Sequence, residues 1–361
     1  LTSVHSFATD PTRGLVILVL LALFIGGAFA LFAFRASTLR LGGLFAPISR
    51  EGALILNNLF LATGAAAVLV GTLYPLLLEA LTGKTISVGA PFFSLTFGTI
   101  MVPLLIVLPF GPFLAWKRGD LIAVTQRLAG AAGAAIFVTI LIFALTGASI
   151  NLSPLGLLLG FWVAFGAVAE LIDRAGIGRM APGQSLRRLV GLPRSAFSTA
   201  IAHFGLGMSV IGIVAASSWQ LELITTMQPG TTKTIGDYTL KFDGIDNLDV
   251  ENYAAQQGRF TVTGPGGGTR QMTPERRIYT ASGTPTTEAA IETYGFSQLY
   301  LQLGEPGANG SQVVRAWYKP YVTLIWLGAI VMAFAGFLSL TDRRLRVGAP
   351  RRAAVKPAPA E

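Results

Sequence analysis

The sequence predicts an all-α polytopic membrane protein with about seven transmembrane helices, an outside N-terminus, an inside C-terminus and one small β-rich extracytoplasmic domain between the last two helices. Of the 361 residues, 52% are hydrophobic and only 12% are charged, whereas soluble domains carry about 25% charged residues. Apolar runs long enough to cross a bilayer recur along the chain. Lys and Arg collect in the connections on one side of these runs, so the net charge of +9 indicates membrane orientation and not a nucleic-acid surface.

Each transmembrane helix needs about 20 mostly apolar residues. Pro103, Pro109 and Pro112 are expected to kink or break the third span. The predicted spans are residues 15–34, 53–78, 93–115, 128–145, 155–169, 197–219 and 321–340.

The orientation follows from the Lys and Arg residues in the short connections. Most of the 27 basic residues lie on one side of the membrane. They occupy the connections between the first and second, the third and fourth, and the fifth and sixth spans, together with the C-terminal tail. The short loops on the other side hold only Arg13 and Lys84. The basic side is therefore predicted to be the cytoplasm.

Four regions follow from these spans. They are a six-helix transmembrane region at 1–219, a β-rich domain at 220–316, the last transmembrane helix at 317–341 and a basic cytoplasmic tail at 342–361. Within the β-rich domain, strands are expected at 238–242, 259–263, 277–279 and 298–303, because these segments are rich in Tyr, Phe, Val and Thr and are separated by Gly and Pro. A Glu-rich stretch near 286–294 predicts one or two helical turns.

The chain has only two histidines. His203 follows Arg194 by nine residues, which places it about 13 Å along the sixth span, in the inner half of the membrane. An ionisable side chain at that depth is a candidate functional group, although a neutral histidine bonded to a neighbouring helix fits equally well. Gly205 and Gly207 leave room for a flat group beside the ring or for close helix contact.

His5 precedes the first span on the outer side, where a solvated loop histidine is the commoner case. The two histidines lie most of a bilayer apart, across a hydrocarbon core about 30 Å thick. They cannot ligate the same iron. A bis-histidine haem site at either one would need a partner outside this sequence.

Other polar residues in the spans have structural explanations. Asn57 and Asn58 are expected to bond between helices. Glu170 and Asp173 are predicted to form a charge cluster at the cytoplasmic edge of the membrane, with a proton path as the alternative. The chain has no cysteine, and neither a Ser/His/Asp set nor a zinc spacing occurs.

Several motifs in one order give a specific resemblance over nearly the whole chain. The sequence resembles the C-terminal part of the CcmF/NrfE family of cytochrome c-type biogenesis (haem lyase) membrane proteins. The motifs are Thr2-Ser3-Val4-His5-Ser6-Phe7-Ala8 with Asp10-Pro11-Thr12-Arg13-Gly14, Ser49-Arg50-Glu51 with Leu56-Asn57-Asn58, Gly71-Thr72-Leu73-Tyr74-Pro75, Gly111-Pro112 with Trp116-Lys117-Arg118-Gly119, Ala202-His203-Phe204-Gly205, and Tyr318-Lys319-Pro320 with Trp326-Leu327-Gly328-Ala329, Gly336-Phe337-Leu338-Ser339-Leu340 and Asp342-Arg343-Arg344.

The resemblance implies a role for each histidine. His5 matches one axial ligand of an outer, periplasmic haem, and His203 matches one axial ligand of a haem b within the membrane. The implied activity is that of a haem lyase (holocytochrome c synthase), which takes haem from the chaperone CcmE and attaches it to apocytochrome c. The membrane haem is the implied reductant, with quinol as its electron source.

The resemblance also implies partners and a location. CcmH and CcmG would handle the apocytochrome thiols, and the protein would lie in the bacterial inner membrane with its large loop in the periplasm. The WWD segment and the other histidine of each pair are expected in an N-terminal half that this sequence lacks. We therefore expect a fragment or split product that is incomplete for haem transfer on its own.

Two other classes of function stay open at this point. In a polytopic transporter or exporter without haem, the broken third span would line the substrate path, and transport would depend on Asn57, Asn58 or Glu170. It lacks the paired broken helices of inverted repeats. A scaffold whose outer β domain docks partners is compatible with the haem lyase hypothesis.

Overall fold

The computed structural model of the chain describes residues 11–38, 43–147, 151–280, 283 and 285–342. Within these residues, seven helices are long and apolar enough to cross a membrane, as the hydropathy pattern predicts. Their bounds, together with one further short helix, are α1 Pro11–Arg35, α2 Arg50–Thr82, α3 Ala90–Val107, α4 Leu121–Thr146, α5 Ser153–Ala175, α6 Pro182–Val190, α7 Arg194–Ser218 and α8 Thr323–Leu340.

The third span breaks at Pro109 and Pro112, as predicted, whereas Pro103 lies inside the α-helix without ending it. The α-helix ends at Val107 and continues as a 3₁₀ helix over Leu108–Phe113, because Pro109 and Pro112 supply no backbone N–H for the α-helical ladder. The short helix α6 was not predicted. It opens with Pro182 at its first position and is followed directly by Gly191, a Pro-to-Gly pattern typical of helix boundaries.

The β-rich region is a two-sheet sandwich of antiparallel strands. The strands are β1 Leu221–Met227, β2 Thr232–Ile235, β3 Tyr238–Val250, β4 Tyr253–Thr263, β5 Thr269–Met272, β6 Glu275–Tyr279, β7 Pro285–Glu288, β8 Ala290–Tyr294, β9 Ser297–Pro306 and β10 Gln312–Lys319. One sheet has the order β1-β10-β9-β8 and the other β2-β3-β4-β6-β7, with β5 paired to β4.

The sandwich core comes from alternate residues of both sheets. Strand β9 contributes Leu299, Leu301 and Leu303, and these pack with Phe242 and Phe260 from the facing sheet. All five are at most 2% exposed. This period-two burial is what holds two sheets face to face.

The prediction of helical turns near residues 286–294 is wrong. This segment forms β7 and β8, which pair with β6 and β9. Cross-strand pairing decides the conformation of such a short segment more strongly than its local composition does.

The contacts divide the chain into two compact units. The first comprises Leu1–Gln126 and Trp219–Pro320, and the second comprises Arg127–Ser218 and Tyr321–Glu361. The first unit contains α1 to α3 and the sandwich. The second contains most of α4 together with α5 to α8, and α7 packs between α5 and α8 in it.

Candidate functional site

His203 lies in an unbroken helix, nine residues after the first residue of that helix. Helix α7 begins at Arg194, so the nine-residue separation corresponds to about 13 Å along the helix axis. The imidazole is half-buried. Among the described residues, none forms a hydrogen bond with it. The described residues therefore do not form the hydrogen bond between His203 and a neighbouring helix that was the alternative prediction.

The two glycines that follow His203 serve close helix contact. A Cβ at Gly205 would lie 2.7 Å from the carbonyl oxygen of Gly328 in α8. A Cβ at Gly207 would lie 2.7 Å from the Ala164 nitrogen of α5. Both distances are too short for any real side chain, so these glycines bring α7 against both neighbours and leave no slot for a flat group.

His203 sits at the edge of the α5–α7 contact. Residues three or four apart share one face of a helix, and on this face Ala200 is only 2% exposed while Gly207 touches α5. The ring therefore stands where the packed face gives way to an exposed one. His203 itself is half-buried, whereas the next residue, Phe204, is exposed.

This arrangement fits one axial ligand of a haem. In the described ranges, no three His, Asp or Glu side chains converge on a possible metal site. One histidine with a half-exposed ring can donate a single lone pair to an iron that is otherwise held from elsewhere. The other predicted ligand, His5, lies outside the described residues.

The predicted charge cluster at the end of α5 is present. Glu170 is only 2% exposed, and its carboxylate lies 2.7 Å from the Arg174 guanidinium. Asp173 pairs with Arg179 and lies 3.6 Å from Arg127 of α4. Both carboxylates are therefore held in ion pairs with neighbouring arginines.

The interhelical bonds expected for Asn57 and Asn58 are not formed among the described residues. The Asn57 amide donates instead to the Asn58 side-chain oxygen at 3.4 Å, and Asn58 is exposed. Neighbouring residues on a helix point about 100° apart, so the pair cannot both face one neighbour.

The structure joins two sequence motifs, Ser49-Arg50-Glu51 and Trp116-Lys117, whose contact was not predicted from the sequence. Ser49 caps α2 by accepting from the Gly52 N–H at 3.0 Å, and the Glu51 carboxylate accepts from the Lys117 N–H at 2.7 Å. The Arg50 guanidinium lies 5.2 Å from the Trp116 ring centroid. Lys117 has φ 65°, which is rare for a side-chain-bearing residue. A serine immediately before an apolar run signals the cap, whereas the partner at residue 117 has no local signal.

Comparisons with known proteins agree with the resemblance seen in the sequence. Residues 218–320 match a family model described as the CcmF C-terminal beta-sandwich. The cytochrome c-type biogenesis protein CycK of Rhizobium meliloti is 54% identical over 353 residues, which are 98% of this chain and 52% of that protein. The cytochrome c-type biogenesis protein CcmF of Pseudomonas aeruginosa is 37% identical, over 96% of this chain and 52% of that protein.

A solved structure supports the same fold. A protein described as cytochrome c heme lyase CcmF superimposes with a TM-score of 0.63 over 82% of this chain and 46% of its own, at 22% identity. The chain spans about half the length of the curated relatives that it matches. The resemblance to the CcmF/NrfE proteins is therefore confirmed, and the chain is their homologue over that half.

Proposed function

We propose that this chain is one part of a membrane haem lyase of cytochrome c maturation, which takes haem from CcmE and attaches it to apocytochrome c. The observation that carries the proposal is His203, a half-buried imidazole without a hydrogen-bonding partner among the described residues. It lies in a chain similar over nearly its whole length to cytochrome c-type biogenesis proteins. The complete activity would require a further part supplying the WWD segment and the second ligand of each haem.

His203 would hold a haem b within the membrane. Its iron-facing nitrogen must be unprotonated, and a hydrogen bond from the other ring nitrogen would fix the ring. That second partner would come from outside the described residues, since none of them bonds the ring. When bound, such a haem would supply one-electron redox chemistry, with quinol as the electron source. The packed glycines of α7 would keep the imidazole at a fixed depth.

His5 would act on the opposite side of the bilayer. We place the N-terminus, the β sandwich and His5 in the periplasm, because the connections on the other side, together with the C-terminal tail, carry most of the Lys and Arg residues. His5 would then be one axial ligand of the haem in transit. CcmH, CcmG and the apocytochrome would meet the protein on this side of the inner membrane.

The test is a reduced-minus-oxidised absorption spectrum of the chain purified together with the half of its relatives' length that it does not span. The His203→Ala variant should lose the b-type band of the membrane haem, because the iron loses an axial ligand. The matched control is His5→Ala, which removes the other histidine and should leave that band in place while haem attachment to apocytochrome fails.

Two results would contradict the proposal. An unchanged b-type band in a folded His203→Ala protein would exclude the assignment of this ligand. A wild-type assembly that is folded but carries no haem would exclude haem chemistry altogether and would favour the transporter alternative.

A further inference from the structure

An open groove runs between α4 and α5 in the second unit. Its volume is about 340 Å³. The α4 wall is made of small residues and the α5 wall of larger apolar ones, with spacings of three and four that keep each set on one helix face. The apolar lining includes Gly130, Ala131, Ala134, Phe165, Val168 and Ile172.

One end of the groove is charged. Arg127 from α4 and Arg179 from the turn after α5 both face Asp173, which lies on the α5 wall. The side chains of Arg127 and Arg179 are 48% and 62% exposed, so each guanidinium keeps N–H groups free for another acceptor. The adjacent Glu170 and Arg174 neutralise each other. Two cations facing one carboxylate leave one net positive charge at this end.

The charged end lies at the level where lipid headgroups begin. Arg127 is in the first turns of α4, and Arg179 follows the end of α5 at Ala175. From Arg127 to Ala134 the groove follows α4 for about 10 Å, and one leaflet of the hydrocarbon core is about 15 Å thick. The groove therefore matches the upper two-thirds of an acyl chain.

We propose that this groove binds an anionic phospholipid, with its phosphate between Arg127 and Arg179 and one acyl chain along the apolar walls. Guanidinium groups form paired hydrogen bonds to phosphate oxygens. Basic pockets between transmembrane helices at the membrane edge are suited to anionic headgroups. A soluble anion would leave the apolar walls without an occupant, and a neutral lipid would leave the net positive charge unmatched.

The test measures lipids retained by the full chain. The protein is placed in mixed bilayers of phosphatidylglycerol and phosphatidylcholine with identical acyl chains, extracted gently and analysed by native mass spectrometry. Wild type should retain phosphatidylglycerol preferentially. The double variant Arg127→Gln/Arg179→Gln should lose that preference by about tenfold or more, given the usual contribution of each basic side chain near a membrane surface. Added glycerol phosphate, a headgroup without chains, should not displace the bound lipid.

A matched control separates this site from general charge attraction. Arg35→Gln/Arg118→Gln removes the same charge from two exposed arginines outside the groove, and it should retain the lipid like wild type. A third variant, Ala134→Trp, leaves every charge in place and fills the groove at an exposed position, and it should also lose the lipid.

The proposal is overturned if phosphatidylcholine is retained as well as phosphatidylglycerol, if both arginine double variants behave alike, or if Ala134→Trp retains the lipid. Displacement by glycerol phosphate alone would identify a site for soluble phosphate compounds in its place. If Arg127→Gln/Arg179→Gln fails to fold, the Ala134→Trp variant and the headgroup competition still decide.

Discussion

Asp243 shows how one side-chain contact makes the sandwich sensitive to pH. It lies at the bulge of β3, where its carboxylate accepts a hydrogen bond from Thr261 of β4 at 2.6 Å and lies 3.2 Å from Lys241. The Thr261 hydroxyl, and then the Lys241 ammonium, hold the pKa of Asp243 below its ordinary value. The stabilisation is therefore complete above the ordinary Asp pKa, about 4, and is lost as the pH falls through the lower pKa of the folded state.

We expect Thr261→Val to cost about 1 kcal/mol of folding free energy at neutral pH. The difference from wild type should shrink at about pH 3, where Asp243 begins to protonate in both proteins. Thermal unfolding of the full chain across this pH range measures the effect. Thr263→Val is the control, since it makes the same change in the same strand away from Asp243. A loss for Thr261→Val that does not vary with pH would contradict the role of the carboxylate.

The α7–α8 helix pair depends on glycines that meet backbone to backbone. Gly328 of α8 faces the Gly205 carbonyl oxygen and Ser209 of α7, and the Ser209 hydroxyl donates to the Ile325 carbonyl at 3.1 Å. Gly328→Ala would push these helices apart, at a cost of about 1–3 kcal/mol for overpacking. The thermal stability of the purified protein should fall accordingly.

Gly336 provides the control on the same helix. Nothing lies within 4 Å of a Cβ at this position, so Gly336→Ala should be neutral or should stabilise the protein by up to about 1 kcal/mol through helix propensity. Equal effects of the two substitutions would show that backbone entropy, and not helix contact, governs this pair.

The topology of the chain makes its own prediction. Because the chain has no cysteine, single introduced cysteines report their side of the membrane without background. Lys84→Cys and Glu251→Cys should react with a membrane-impermeant thiol reagent in intact spheroplasts. Arg118→Cys should react only after the membrane is permeabilised. The cysteine-free parent is the control, and the reverse labelling pattern would invert the orientation.

The sequence by itself determined what depends on local composition. Hydropathy located all seven spans, and Pro109 and Pro112 located the break in the third span. Each of these needs only a short window of residues, because crossing a bilayer imposes an apolar run of fixed length.

The tertiary structure decided whatever depends on which segments meet. It assigned Gly205 and Gly207 to helix contacts and turned residues 286–294 into strands. It also joined Glu51 to Lys117, and Arg127 to Asp173 beside an apolar groove. The helix and loop partners are far apart in sequence, and pairing with β6 and β9 fixes residues 286–294. Helix register and strand pairing, and not local composition, therefore decide these contacts.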